Sequence, residues 1–265
     1  MGERVKVGTD GFVELLDVMG DDAAICAAAR VSYDQTKKVS DDRTLIRYLM
    51  RHNHTTPFEM AELKFIVRVP MDIWRQWVRH RMASINEYST RYREAINEQS
   101  IPDYDEWRTQ SKTNKQGSGE PLSKDVGEEL TYSFIDAADG CLAAYKSALR
   151  RGVAYEQARR ILPLGTYTEA FWKIDLHNLL HFLRLRMAPD AQQEIREFAN
   201  AIHDLVAPLF LFTFEAFADY RLDAIQLTAV DIAAIKNNDW QGVQILNKRE
   251  REEYLVKLQR LGFSR

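Results

Sequence analysis

Nine residues, Glu62–Pro70, constrain the fold more than any other stretch. Leu63, Phe65, Val67 and Val69 alternate with Glu62, Lys64 and Arg68, the period-two pattern of a strand buried on one face. Proline has no amide hydrogen, so Pro70 ends that strand and suits the first turn of a helix running to about Arg81. Helical periodicity dominates elsewhere. Asp22–Arg30 is alanine-rich and reads as a helix, and Asp41–Asn53 follows with Leu45, Ile46, Leu49 and Met50 on one face. A long helix begins near Ser123, with Leu130, Phe134, Ala138, Cys141, Tyr145 and Leu149 as its buried stripe and Gly152 closing it. A shorter one, Val153–Ile161, stops at Leu162-Pro163. Asp175 is a good N-cap for a helix reaching Met187, and Asp190 for another through Phe217. The class is α+β: a modest central β-sheet flanked by long α-helices.

Length and composition narrow the function. The 265 residues suffice for one large domain or two small ones. Thr109–Glu120 holds no apolar residue and reads as a mobile surface loop. Residues 221–265 form a polar, helical tail in which Asn247 and Glu250 resemble a capping box. With 36 Lys+Arg against 39 Asp+Glu, the net charge of −3 provides no global field for nucleic acid. No apolar run reaches the ~18–20 residues of a membrane span and no signal-peptide core follows the start, so a cytoplasmic protein is expected. Cys26 and Cys141 are too few for a disulfide framework or a four-sulfur zinc site. Neither GxGxxG nor GxxxxGK occurs, so any phosphate must be gripped by other means.

Such means are present at 75–93, RQWVRHRMASINEYSTRYR, with five arginines and no lysine. A solvated helix face usually mixes Lys, Arg and Glu. Here Arg alone alternates with Trp74, Trp77, Tyr88 and Tyr92, side chains that favour burial. Guanidinium groups make planar, bidentate contacts to phosphate or carboxylate, so this is the chemistry of an anion site. Gln76 and Arg79 share a helical face at i,i+3, and Ser84–Arg91 follows as a turn or extended loop.

Arg79–Arg91, RHRMASINEYSTR, matches the RHRxxSxNExSxR signature of flavin-dependent thymidylate synthases at all eight fixed positions. His54–Glu59 (HTTPFE) resembles that family's HxTPFE segment and Ala158–Pro163 (ARRILP) its ARxxLP segment. Leu185-Arg186 with Ala191-Gln192 is similar to its LR…AQ stretch. The likeness spans roughly residues 25–217, placing a catalytic domain at 1–220 with 221–265 as a C-terminal extension.

The resemblance implies methylation of dUMP to dTMP, with 5,10-methylenetetrahydrofolate as carbon donor, NADPH as reductant and FAD as hydride carrier. It also implies the family's fold and a homotetramer with active sites shared between subunits. Carried over by position, Gln76, Arg79, Glu87, Tyr88, Ser89, Thr90 and Arg91 would surround dUMP, with Arg91 and Arg159 near its phosphate. Arg186 would be the catalytic group, contacting the uracil edge and favouring the N3-deprotonated form. His54, Thr56, Arg79, His80, Arg81 and Glu87 would hold FAD. Asp175, His177 and His181 stand where other members carry Asn or Arg, positions that help bind flavin. Asp175 would meet ribose or adenine, or simply cap its helix.

Both cysteines read as small core residues rather than nucleophiles, which suits a route in which flavin delivers hydride to uracil. Ser89 has no recognisable base beside it and reads as a binding hydroxyl. His177 and His181 at i,i+4 are half of a metal site, but no HExxH accompanies them and no metal is expected. Two other readings stand beside the flavin enzyme. One is a metal-dependent nucleotide hydrolase using His177, His181 and either His54 or His80. The other is a non-catalytic nucleotide- or RNA-binding protein using the Arg-aromatic segment.

Overall fold

The structure, a computed structural model, describes residues 2, 4–31, 41–112 and 117–263. The chain divides into two compact units, Met1–Phe217 and Ala218–Arg265. The first contains β1 (Arg4–Val7), β2 (Gly11–Met19), α1 (Asp22–Arg30), α2 (Asp42–Arg51), α3 (Thr56–Glu59), β3 (Glu62–Pro70) and α4 (Met71–Trp77). There follow β4 (Ser84–Glu87), β5 (Arg108–Gln110), β6 (Ser118–Pro121), α5 (Lys124–Arg150), α6 (Tyr155–Ala158), β7 (Tyr167–Asp175), α7 (Leu176–Arg186), α8 (Gln193–Val206) and α9 (Leu211–Phe217).

Five strands form one antiparallel sheet in the order β1-β2-β3-β7-β4. The expected strand is β3, and its alternation is realised: Leu63, Phe65, Val67 and Val69 are buried while Lys64, Ile66 and Arg68 are half-exposed. β7 pairs with it from Glu62↔Asp175 to Pro70↔Tyr167. That register sets Phe65 opposite Trp172, with ring centroids 5.5 Å apart. On the polar face, Lys173 meets Glu62 at 2.9 Å and Arg68 meets Asp10 at 3.0 Å.

An aromatic knot fastens helices to the inner face. The ring of Trp77 lies 5.1 Å from Trp172 of the sheet, 4.9 Å from Phe182 of α7 and 5.9 Å from Phe198 of α8. Trp77, Trp172 and Phe182 are fully buried, so this knot holds α4 and α7, the elements that carry the site, in fixed relation. α2 buries Leu45, Ile46, Leu49 and Met50 as its periodicity requires. Its outer side is tied to α9 by Arg43 and Arg47, which meet Glu215 at 2.8 and 2.7 Å.

Several expectations are corrected. α4 ends at Trp77 rather than about Arg81, because the chain must turn to reach the sheet edge. Ser84–Glu87 is strand β4, paired with β7 from Ser84↔Lys173 to Glu87↔Ala170, rather than a loop. Both ends of the expected loop at 109–120 belong to the β5–β6 ribbon, while 113–116 lie outside the described residues. The Asp190 helix to Phe217 is two helices: α8 starts after Gln192, and a 3-10 turn containing Pro208 separates it from α9. Of the α5 stripe, only Ala138 and Tyr145 are buried; Leu130, Cys141 and Leu149 are partly covered and Phe134 is half-exposed. Tyr92 is 80% exposed, contrary to the burial expected of it.

The second unit holds α10 (Ala229–Lys236) and α11 (Lys248–Arg260) around Ala234, Ile245, Tyr254 and Leu258. Its capping box is Thr228 with Asp231, which also accepts from Lys257 at 2.6 Å. Asn247 caps α11 by accepting from the amides of Arg249 and Glu250.

Candidate active site

The site is built outward from the Trp77 anchor. Past it the amide of His80 donates to the Trp77 carbonyl at 3.0 Å, closing the last turn. β4 then carries the signature along the exposed edge of β7. β4 advances about 3.4 Å per residue, so its ends lie about 10 Å apart. Most site residues expected from sequence form two groups, a near one around the segment that precedes β4 in the chain and a far one at and beyond its last residue.

At the near end stand Gln76, His80 and Arg186. Arg186 is the last residue of α7, and half-buried. Its Nε donates to His80 Nε2 at 3.0 Å and its Nη2 to the Gln76 carbonyl at 3.1 Å. The side-chain amide of Gln76 donates to Gln192 Oε1. Burial pushes the His80 imidazole down to about 4, with Arg186 and His181 adding to the effect. Desolvation also lowers Arg186, though a guanidinium stays charged at any physiological pH. Arg79 and Arg81 are exposed and have no carboxylate partner among the described residues.

At the far end the Glu87 carboxylate accepts from Thr168 Oγ1 at 2.8 Å, and the Tyr88 amide donates to the Glu169 carbonyl at 2.7 Å. The Tyr88 hydroxyl donates to the Glu94 carbonyl, and the Arg93 guanidinium lies 3.8 Å from the Tyr88 ring centroid. Ser89 Oγ accepts from the Arg91 amide at 3.4 Å. Arg159, just beyond α6, donates to Thr90 Oγ1 at 3.0 Å, and Arg91 pairs with Glu156 at 3.3 Å. Two guanidinium groups from segments about seventy residues apart thus converge on one turn. Glu156 and Thr168 were not anticipated from the sequence, and Arg93 was read only as one of the five arginines of 75–93. Glu156 left no local signal, because its partner Arg91 lies far away in the chain.

His54 and Thr56 are exposed at the start of α3, which packs against α7. Along α7 come Asp175, His177 and His181. Asp175 caps the helix: its two oxygens accept from the Asn178 amide at 2.9 Å and the Asn178 side chain at 2.7 Å. His177 is partly covered and His181 is exposed, its ring 5.7 Å from that of His80. Among the described residues no three His, Cys, Asp or Glu side chains converge as a metal site.

Cys26 is fully buried, and its thiol lies 3.6 Å from the Asp42 carbonyl. Burial first, and nearby Asp42 second, push that thiol up to about 12, so it stays protonated at neutral pH. Cys141 is only partly covered.

No helix among the described residues is long and apolar enough to cross a membrane. Residues 14–210 match the family model described as thymidylate synthase complementing protein. A flavin-dependent thymidylate synthase of Dictyostelium discoideum is 44% identical over 263 residues, covering 96% of this chain and 86% of that relative. One from Gluconobacter oxydans is 49% identical over 223 residues, covering 83% and 74%. The crystal structure of a UMP/dUMP methylase, PolB, from Streptomyces cacaoi bound with 5-Br UMP superposes with a TM-score of 0.74 at 35% identity. It covers 83% of this chain and 99% of its own. Arginines gathered around strand β4, a signature matched at eight fixed positions in that segment, and relatives matching most of the chain converge on one conclusion: the chain belongs to the flavin-dependent thymidylate synthase family, a family of methyltransferases.

Proposed function

We propose that the protein converts dUMP to dTMP by reductive methylation, with 5,10-methylenetetrahydrofolate as carbon donor, NADPH as reductant and FAD as hydride carrier. The observation that carries the reading is the seating of Arg186. Two acceptors hold its guanidinium by Nε and one Nη2 hydrogen, leaving three N–H donors for a substrate. Aimed at the uracil edge, those donors stabilise negative charge developing at N3 and O4 and so favour the N3-deprotonated ring. Arg91 and Arg159 supply paired guanidinium groups for the nucleotide phosphate, with Glu156 holding Arg91 in place beforehand. Gln76, Glu87, Tyr88, Ser89 and Thr90 complete the substrate's surroundings.

The donor set also fits a flavin dinucleotide. Arg79 and Arg81 are exposed cations without carboxylate partners among the described residues, suited to a diphosphate, and His54, Thr56, His177 and His181 come from α7 and the start of α3, which pack together. Glu87 and His80 complete the flavin's surroundings in this assignment, and Asp175 acts through the helix it caps. When bound, the flavin supplies hydride to uracil C6, which removes the need for a cysteine nucleophile. The protonated, buried Cys26 suits such a route.

The proposal includes a homotetramer and a cytoplasmic location. One feature supports assembly. Tyr132 and Ile135, one turn apart on α5, are 69% and 38% exposed, apolar surface suited to burial against other copies. The test is the absorbance spectrum of purified protein with and without NADPH and dUMP, followed by product analysis. A flavin band that bleaches with NADPH, and dTMP formed when methylenetetrahydrofolate is added, is the expected result. A colourless protein that makes no dTMP after reconstitution with FAD would sink the reading.

A further inference from the structure

We infer that His80 is a positioning residue for Arg186, holding its guanidinium through a ring nitrogen that must be an acceptor; this rests on the role proposed above for Arg186. An arginine Nε always carries hydrogen and cannot accept, so the 3.0 Å contact between Arg186 Nε and His80 Nε2 has one possible polarity. His80 is therefore the neutral imidazole with its proton on Nδ1. A protonated ring would present N–H to N–H and set two cations in contact, breaking the seat.

The surroundings make this seat specific. His80 packs its ring edge-on against fully buried Phe182, with centroids 4.9 Å apart, while its amide is bonded to the Trp77 carbonyl. Phe182 and Trp77 belong to the core knot, so the imidazole is fixed from the sheet outward. The Gln76 carbonyl, in the last turn of α4, supplies the second acceptor. Arg186 ends α7, and the chain turns away directly after it. With its backbone at a helix end, the side chain depends on these two acceptors for its direction. One of them is backbone and cannot be altered by substitution, so His80 is the adjustable half. A guanidinium misplaced by about 1 Å can cost catalysis on the order of 100-fold.

The test compares His80→Ala, His80→Gln and Arg186→Lys in flavin-loaded enzyme, measuring bound flavin, kcat and KM for dUMP. Compared at saturating FAD, with turnover expressed per bound flavin, His80→Ala is expected to lose about 10- to 100-fold in kcat with little change in KM for dUMP. His80→Gln, whose amide oxygen can accept from Nε, recovers most of that loss. In an Arg186→Lys background, which lacks the Nε donor, removing His80 costs nothing further. Unchanged turnover in His80→Ala, a loss explained wholly by missing flavin, or equal defects in the Ala and Gln variants would overturn the inference. Activity surviving in Arg186→Ala would instead overturn the underlying role of Arg186, so the two failures are separable.

Discussion

At the scale of single residues the site depends on burial imposed from outside it. Arg186 is held in a half-buried seat by two acceptors, and we expect Arg186→Ala to lower dTMP formation by about 100- to 1,000-fold while leaving flavin bound. Product analysis beside a flavin spectrum checks this, and near-normal turnover would contradict it. His80 offers a pH test in the ligand-free protein. Its folded value of about 4 lies below the ordinary 6.5 of histidine, so the unfolded chain takes up a proton first on acidification. Its share of the stability is therefore complete above about 6.5, falls as pH drops towards 4, and changes no further below that. Proton NMR of the ring should show its midpoint near 4; a midpoint near 6.5 would refute the burial argument. Cys26, with its thiol pushed to about 12, should resist alkylation at pH 8, and Cys26→Ala should keep its turnover. Of these residues, Arg186 and Cys26 were legible as types in the sequence. The tautomer of His80 was not, because it follows from a contact between residues 106 positions apart.

At the scale of elements, local signals worked where the partner was local. Asp21, Asp41 and Asp175 cap their helices through side-chain contacts three residues on, and β3 shows its alternation plainly. β7 was not anticipated, although Tyr167, Ala170, Trp172 and Ile174 are buried along it, since Thr168 is buried as well and blurs the period. β4 carries no apolar alternation at all: every residue of it is exposed, and it is a strand only because β7 offers a free edge. α5 presents the opposite case, a clear helix whose apolar stripe one chain leaves half-covered. It is pinned at Gly127, where a Cβ would lie 1.9 Å from the Tyr104 carbonyl oxygen. Gly127→Ala should therefore destabilise by about 1–3 kcal/mol in denaturant melts, despite alanine's better helix propensity. A stabilised variant would show that the 102–107 segment is free to move aside.

At the scale of the whole molecule, the two units have separate cores, Trp77–Trp172–Phe182 in one and Ala234–Ile245–Tyr254–Leu258 in the other. The Streptomyces methylase matches 83% of this chain with 99% of its own length, so about a sixth of this chain has no counterpart in it. A chain ending at Leu222 should fold and retain flavin, as read by thermal melting and flavin content; an insoluble or colourless truncation would show that the first unit depends on the tail. The sequence by itself determined the helical content, the strand that centres the sheet and the arginine chemistry of the site, because periodicity, capping and side-chain type act over a few residues. Tertiary structure alone decided that Arg91 and Arg159 share the Thr90 turn, that His80 must accept from Arg186, and that β4 is a strand. Each depends on pairing across the sheet or packing on the Trp77 knot, and the free energy of such contacts belongs to residues far apart in the chain.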